Sequence, residues 1–314
     1  MPVTASSFVL HDLADETDGA FGLAETADGA LWCTLARTGS VVRRAADGQL
    51  TRIDLGDSAG EPASVAAATD DSVWLTEFAG NRILRVDARG VRFSALLPTP
   101  GAGPSGIIGL DDGTVWFTEG RADAVGRVDI LGRVSEFDTG IPGGTPGAIA
   151  SNGTSLWFSL STAGAVAHLR GGDSRPSLIA LGEAEGRDPD SVRAQPDGVS
   201  VGADGSLWVA DAARGLVCRI DRRGEVREFR VPSRGGRPSA VAADAVGGCW
   251  FTLRSSHELG HVGGDGEVTL VALPDAPAAP RGLVASASGS VWVALESGVL
   301  AELTADGIGA AGIR

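Results

Sequence analysis

Short apolar runs separated by glycine-containing turns recur along the whole chain. Around Trp116, the turn Asp112-Gly113 precedes the run Trp-Phe-Thr, and Gly126-Arg127-Val128 and Ser135-Glu136-Phe137 follow after further turns. Runs this short, rich in β-branched and aromatic residues and bounded by Gly and Asp, are typical of β-strands. Turns every eight to twelve residues leave no room for stacked helices. The pattern therefore predicts an all-β chain of short strands.

One unit of this pattern is repeated seven times. Its marker is a tryptophan, at Trp32, Trp74, Trp116, Trp157, Trp208, Trp250 and Trp292, with spacings of 42, 42, 41, 51, 42 and 42 residues. About twelve residues before each tryptophan stands a proline, which Ala20 replaces in the first unit. About eleven residues after it comes Gly-Arg-Val or a related run, and then a further turn and strand. Each unit reads as four strands.

These repeats predict a seven-bladed β-propeller with four-stranded antiparallel blades, formed by residues 1–314 as one domain. A single four-stranded unit cannot bury both faces, whereas seven arranged radially can. The run Ser7-Phe8-Val9-Leu10 resembles an outer strand, and we expect it to close the ring by pairing with the last blade at residues 291–303. The longer spacing falls in residues 171–194, which we interpret as a surface loop, either a plain insertion or a lid over one mouth.

Composition and charge exclude several classes of function. The net charge of −14 repels phosphate backbones and anionic lipids, so we expect neither nucleic acid nor membrane as a partner. The chain has no lysine and no tyrosine, which excludes a Schiff-base lysine, a P-loop lysine and a tyrosine acid or base. No signal peptide or long apolar run is recognisable. Cys33, Cys218 and Cys249 are predicted as buried free thiols of a cytoplasmic protein, which we take to be a monomer.

The run His257-Glu258-Leu259-Gly260-His261 matches the H-E-x-x-H zinc motif by letter. That motif needs a helix, on which residues four apart share one face. His261, however, lies eleven residues after Trp250, at the position of Arg127 relative to Trp116. We therefore predict that His261 lies on a strand, as a surface residue in place of an arginine. On a strand, four residues span about 13 Å, too far for one zinc ion.

Propellers bind ligands at one mouth of the central channel, and we expect two positions of each unit to line it. The first follows the proline and runs Phe21, Ala63, Ser105, Gly147, Asp197, Ser239 and Arg281. The second is the third residue after tryptophan and runs Leu35, Glu77, Glu119, Leu160, Asp211, Leu253 and Leu295, with Glu296 just beyond. We predict Arg281 and Glu296 as catalytic residues. The predicted substrate-binding residues are Ser239, Arg237, Asp197, Asp211, Glu77 and Glu119. A structural role of these acids as partners of strand arginines stays open.

The phrase Trp-Phe-Thr-Glu at 116–119, followed by 125–128 and 135–137, resembles the virginiamycin B lyase (streptogramin B lyase) family, and the similarity extends over all seven units. The resemblance implies a seven-bladed propeller that opens a cyclic depsipeptide by elimination at the ester C–O bond, with Mg²⁺ as cofactor. Such a reaction needs a base near the α-carbon proton and a cation at the developing negative charge.

The same resemblance assigns roles to single positions. The general-base histidine of the family corresponds to Arg281, and a substrate-contacting histidine corresponds to Ser239. One metal-binding glutamate is kept as Glu296, whereas the other corresponds to Ala279. An arginine stays protonated at neutral pH and is no general base. Of four family positions one survives, so Arg281 is instead expected to hold an oxyanion and Glu296 to act as the base.

Two other functions stay open. One is a non-catalytic propeller that binds a peptide or metabolite, since the family's base and one ligand are absent. The other is metal-dependent lactone hydrolysis, because 195–199 and 205–211 resemble a blade of the gluconolactonase-type propellers, in which Asp197 would be a metal ligand. The prediction that leads is a lyase-like propeller acting on a small cyclic or ester-containing natural product, by elimination, ring opening or ring closure.

Overall fold

The computed structural model describes residues 8–13, 15, 17–182, 192–233, 235–274, 279–310 and 313. These residues form seven four-stranded antiparallel sheets, followed by one short helix. The predicted seven-bladed propeller is therefore confirmed.

The first blade consists of β2 (Ala20–Glu25), β3 (Leu31–Leu35), β4 (Ser40–Arg44) and β5 (Leu50–Asp54). The second blade consists of β6 (Pro62–Ala67), β7 (Val73–Glu77), β8 (Arg82–Asp87) and β9 (Gly90–Leu96). The third consists of β10 (Pro104–Gly109), β11 (Val115–Glu119), β12 (Ala124–Val128) and β13 (Val134–Asp138). The fourth blade consists of β14 (Pro146–Ser151), β15 (Ser155–Leu160), β16 (Ala165–Arg170) and β17 (Ser177–Ala180). The fifth consists of β18 (Pro196–Val201), β19 (Leu207–Asp211), β20 (Leu216–Ile220) and β21 (Val226–Arg230). The sixth consists of β22 (Pro238–Ala243), β23 (Cys249–Leu253), β24 (Glu258–Val262) and β25 (Val268–Ala272).

The seventh blade joins both ends of the propeller. It contains β26 (Pro280–Ala285), β27 (Val291–Leu295) and β28 (Val299–Leu303), and its outermost strand is β1 (Phe8–Asp12). Phe8 pairs with Leu303 and Asp12 with Val299, so the N-terminal strand closes the ring as predicted. The helix α1 (Ala305–Ala310) follows, and Ile308 packs on the core between the sixth and seventh blades. Among the described residues, no helix has the length and apolarity to cross a bilayer.

The tryptophans mark the second strand of each blade, and in the first six blades the third-strand residue opposite packs on the indole. Trp116 pairs with Arg127, whose guanidinium lies 5.8 Å from the ring centroid. His261 pairs with Trp250 at a ring separation of 4.5 Å. The third-strand position inferred from the repeat is thus confirmed, and β24 is a strand, not the helix of a zinc site. His261 is nevertheless buried, not on the surface as predicted, because its Nε2 contacts Asp244 Oδ2 at 2.7 Å.

A small hydroxyl residue two positions after tryptophan connects neighbouring blades. Thr34 Oγ1 accepts a hydrogen bond from Gly22 N within its blade and donates to Ala63 O of the next blade at 2.9 Å. Thr76 repeats this arrangement with Ser64 N and Ser105 O. Both threonines are fully buried. The hydroxyls therefore satisfy backbone groups that the sheets leave unpaired where two blades meet.

The sequence predicts a surface loop over residues 171–194, but the structure shows that this stretch is not one continuous loop. Residues 177–180 form β17, which pairs with β16 as the outermost strand of the fourth blade. The unit needs this strand to complete its sheet, so the extra length lies between β17 and β18. The predicted lid falls largely on residues 183–191, outside the described residues. The three cysteines are buried and free, as expected, and burial raises the pKa of Cys33 and Cys218 to about 12.

Candidate functional site at one mouth of the propeller

A β-bulge near the start of each innermost strand turns side chains toward the channel mouth. In the seventh blade Pro280 pairs with Leu295 and Leu283 with Val293, so Arg281 and Gly282 together oppose one residue. A bulge of this kind bends the strand and redirects the extra side chain. A Cβ at position 282 would lie 2.6 Å from Phe21 O, so glycine there permits close approach of the first blade. The same register shift occurs in all seven blades.

Two cavities at this mouth are lined by the position after the proline. One cavity contains Asp197, Ser239 and Arg281, and the other contains Phe21, Ala63 and Ser105. We call the first the charged cavity and the second the apolar cavity. Of the seven residues at this position, Gly147 alone lines neither. The first of the two predicted mouth positions therefore lies where it was expected.

The second predicted position is one residue too early. The third residue after tryptophan ends the second strand and is fully buried in all seven blades, including Glu77, Glu119 and Asp211. The fourth residue is the one that lines the cavities, as Ala36 and Phe78 in one and as Ser161, Ala212, Arg254 and Glu296 in the other. Successive residues of a strand point to opposite sides, so a shift of one residue exchanges buried and exposed positions. Glu77, Glu119 and Asp211 are not among the cavity-lining residues.

Two of these buried acids pair with arginines of their own blade. Arg82 Nε donates to Glu77 Oε2, and Arg214 Nε donates to Asp211 Oδ2. Asp211 Oδ1 also accepts hydrogen bonds from the backbone N–H groups of Gln195 and Arg214. Burial raises the pKa of Glu77, and the hydrogen bond from Arg82 opposes this shift. These contacts give Glu77 and Asp211 the structural role that the sequence left open.

The charged cavity, of about 640 Å³, gathers the remaining predicted residues. Ser239 Oγ donates to Asp197 Oδ2 at 2.7 Å, and Arg237 Nη2 donates to Gln195 Oε1 at 3.0 Å. These contacts join the fifth and sixth blades. Arg281 and Glu296 form an ion pair at the seventh blade. Five residues that the repeat itself does not require thus meet in one cavity.

The ion pair leaves part of the Glu296 carboxylate open. Nε and Nη2 of Arg281 both donate to Oε1 of Glu296, and no described residue donates to Oε2. The Arg281 guanidinium also lies 5.2 Å from the Phe21 ring centroid, over the edge of the apolar cavity. Arg281 therefore holds Glu296 in place and stands between the two cavities.

These residues do not fit a divalent metal ion. The Arg281 guanidinium occupies the side of Glu296 that a cation would share, and Ala279 has no donor atom. Within the described ranges, no three His, Cys, Asp or Glu side chains converge on a common point. Asp197 accepts a hydrogen bond from Ser239, and it belongs to no such group in the part of the chain that the structure describes. We therefore derive no step through a metal, neither the Mg²⁺ that the family resemblance implies nor the lactonase-type ion.

Arg254 is a cavity residue that the sequence analysis missed. It stands at the fourth position after Trp250, the position that Glu296 occupies after Trp292, and this register could have revealed it. Desolvation by the cavity wall and the nearby Arg281 charge lower the pKa of Arg254, whereas Asp197 and Glu296 oppose this shift. No described carboxylate lies within ion-pair distance of its guanidinium.

Comparison with known proteins shows which family this chain resembles. The sequence model of the virginiamycin B lyase family matches residues 6–303. The structure of selenomethionine-substituted virginiamycin B lyase from Staphylococcus aureus is 24% identical, with a TM-score of 0.86 over 94% of this chain and 98% of that chain. A catalytically inactive variant of that enzyme with quinupristin is 25% identical, with a TM-score of 0.85 over 94% and 98% of the two chains.

Other propellers share only the fold. YCF48 bound to D1 peptide is 12% identical, with a TM-score of 0.70 over 96% of this chain and 98% of that chain. A search of curated proteins gives no match. The family match extends over nearly all seven blades and agrees with the motif around Trp116. The chain therefore belongs to the virginiamycin B lyase family.

Proposed function

We propose that the protein acts in the charged cavity on a small cyclic or ester-containing natural product, at a carbon–oxygen bond. The reaction class is elimination that opens the ring, or its reverse. The observation that carries the proposal is the meeting of Asp197, Arg237, Ser239, Arg281 and Glu296 in one cavity. The repeat does not require charged residues at these positions, since several blades have small or apolar residues there. Family membership and a relative crystallised with quinupristin support a cyclic depsipeptide as the first substrate to test.

Glu296 is the proposed base. Its Oε2 faces no described donor, so it can accept a proton from the carbon next to a carbonyl group of the substrate. The electron pair of that C–H bond forms a C=C bond, and the C–O bond on the β-carbon breaks with its electrons leaving on the carboxylate product. The proton stays on Glu296 until water at the open mouth takes it. No oxidant or second reactant is needed.

Arg281 is the proposed partner of the negative charge that develops on the carbonyl oxygen. A guanidinium has five N–H donors, and two of its nitrogens serve Glu296. A remaining N–H group can donate to the oxygen as the enolate forms. This arrangement would supply from a side chain the positive charge that the family resemblance assigns to a metal ion. Ser239 and Asp197, hydrogen-bonded to each other, are proposed to orient the ring.

The direct test is incubation with a streptogramin B, with Mg²⁺ and with EDTA, while linear product is followed by mass spectrometry. We expect linear, unsaturated product at equal rates under both conditions. Glu296→Gln should lower kcat at least about 100-fold, since a positioned base contributes factors of that size. Arg281→Ala should lower kcat as well, with the midpoint of thermal unfolding unchanged.

Asp87→Asn is the matched control, because Asp87 forms an exposed ion pair with Arg92 away from the mouth. It should leave kcat unchanged. If Glu296→Gln and Arg281→Ala remain fully active, the site is misplaced. Saturable binding without product under either condition would instead favour the non-catalytic, ligand-binding propeller.

A further inference from the structure

The charged cavity holds more positive charge than its own acids neutralise. Arg281 is paired with Glu296, but the Arg237 guanidinium donates to the neutral Gln195, and among the described residues neither Arg237 nor Arg254 has a carboxylate at ion-pair distance. Asp197 is the one further acid among the described residues that line this cavity. The described lining therefore has one more positive than negative side chain, within a chain whose net charge is −14. Positive groups held close together in an acidic protein favour an anionic ligand.

The apolar cavity adjoins this positive region. It has a volume of about 710 Å³, and Phe21, Pro62, Ala63 and Phe78 form much of its wall. Phe21 is 38% exposed, so its ring is accessible from the cavity. The Arg281 guanidinium lies over Phe21, so the two cavities meet at this residue. A ligand seated at Glu296 therefore has an apolar surface on one side and, on the other, Arg237 and Arg254, neither of which forms an ion pair with a described carboxylate.

We infer that the ligand of this mouth is an amphipathic organic acid, whose carboxylate binds Arg254 and Arg237 and whose apolar part occupies the cavity at Phe21 and Phe78. This inference rests on the proposed function in taking the mouth as the working site, and it adds the open-ring form as the ligand. A cyclic ester has no free carboxylate, whereas elimination at its C–O bond releases one, so the acid is the product of ring opening or the substrate of ring closure. The carboxylate lies beside the fifth and sixth blades, the apolar part beside the first and second. The reacting bond then lies between them, at Arg281 and Glu296.

The test compares 4-phenylbutyrate with its uncharged amide, 4-phenylbutyramide, by calorimetric titration of the full chain. The two probes have the same apolar part and differ in charge. The acid should bind at least about tenfold more tightly than the amide, and this ratio should fall as salt is added. Arg254→Gln should abolish the ratio by weakening the acid alone, whereas Phe78→Ala should weaken acid and amide alike.

Arg133→Gln serves as the matched control, because Arg133 is 74% exposed and pairs with Asp129 outside both cavities. It should preserve the ratio. Glu296→Gln should preserve or increase it, although it removes the proposed base, so loss of turnover and loss of acid recognition are separable. Equal binding of acid and amide, a ratio unaffected by Arg254→Gln, or no saturable binding of the acid would each overturn the inference.

Discussion

Glu119 is a fully buried acid without a hydrogen-bond partner for either carboxylate oxygen among the described residues. The corresponding acid of the fifth blade, Asp211, is paired through Arg214, which also binds Glu228. In the third blade Ala122 stands where Arg214 stands, and Glu136 stands where Glu228 stands. Burial, and then the Glu136 charge, raise the pKa of Glu119 to about 7. Glu119 is therefore a site where acidity and stability are linked.

The expected consequence is a loss of stability with rising pH. In the unfolded chain Glu119 ionises near 4.5, and in the folded chain near 7, so the free energy of unfolding falls between these values and then levels off. Glu119→Gln should remove this dependence and stabilise the protein at pH 8 by up to about 3 kcal/mol. Urea unfolding at pH 5 and pH 8 measures both effects.

The matched control is Glu77→Gln, in which the paired Arg82 loses its partner, so it should destabilise at both pH values. Ala122→Arg offers the complementary change, since it introduces into the third blade an arginine at the position that Arg214 occupies in the fifth. The turn allows it, because Asp123 and Gly215 have similar φ angles of 52° and 63°. If Glu119→Gln destabilises the protein at pH 8, the acid has a partner that this account lacks.

At the scale of the element, a buried threonine hydroxyl contributes to the contact between neighbouring blades. Thr76→Val keeps the shape of the side chain but leaves Ser64 N and Ser105 O without the hydroxyl that bonds both. Since buried unpaired backbone groups are costly, the free energy of unfolding should fall by about 1–3 kcal/mol. Urea unfolding checks this value. Thr17→Val, at an exposed threonine, should change it little, and equal effects of the two substitutions would refute the role of the hydroxyl.

The strand pattern shows how far the sequence could lead. Repeat spacing predicted the blades, the ring closure and the histidine on β24, because register and turns are local properties of the chain. The same spacing misplaced the second mouth position by one residue and so chose Glu77, Glu119 and Asp211 instead of Arg254. Successive residues of a strand point to opposite sides, and the spacing alone does not show which of two neighbours is buried between the blades and which reaches the mouth. The ion pair of Arg281 with Glu296 likewise depends on how β26 and the end of β27 bring the two side chains together.

At the scale of the whole molecule, the N-terminal strand joins the two ends of the ring. Removal of residues 1–12 deletes β1 and exposes the edge of β28 and the adjoining core at Leu303. We expect a lower midpoint of thermal unfolding and concentration-dependent aggregation, because an unpaired strand edge pairs with other chains. Scanning calorimetry and size-exclusion chromatography measure these effects. Removal of residues 1–6, which precede β1, is the control. If both truncations have the same midpoint of thermal unfolding and the same aggregation, β1 does not stabilise the closed ring.

The mouth with its two cavities is the central claim at this scale. Its most direct test is a crystal structure of the protein soaked with a streptogramin B in the presence of Mg²⁺. We expect the depsipeptide in the charged cavity, with a carbonyl oxygen at Arg281, a C–H group at Glu296 Oε2 and the Arg281–Glu296 pair intact. A ligand at the opposite mouth or on the outer strands, or an ion bound to Glu296 in place of Arg281, would contradict it.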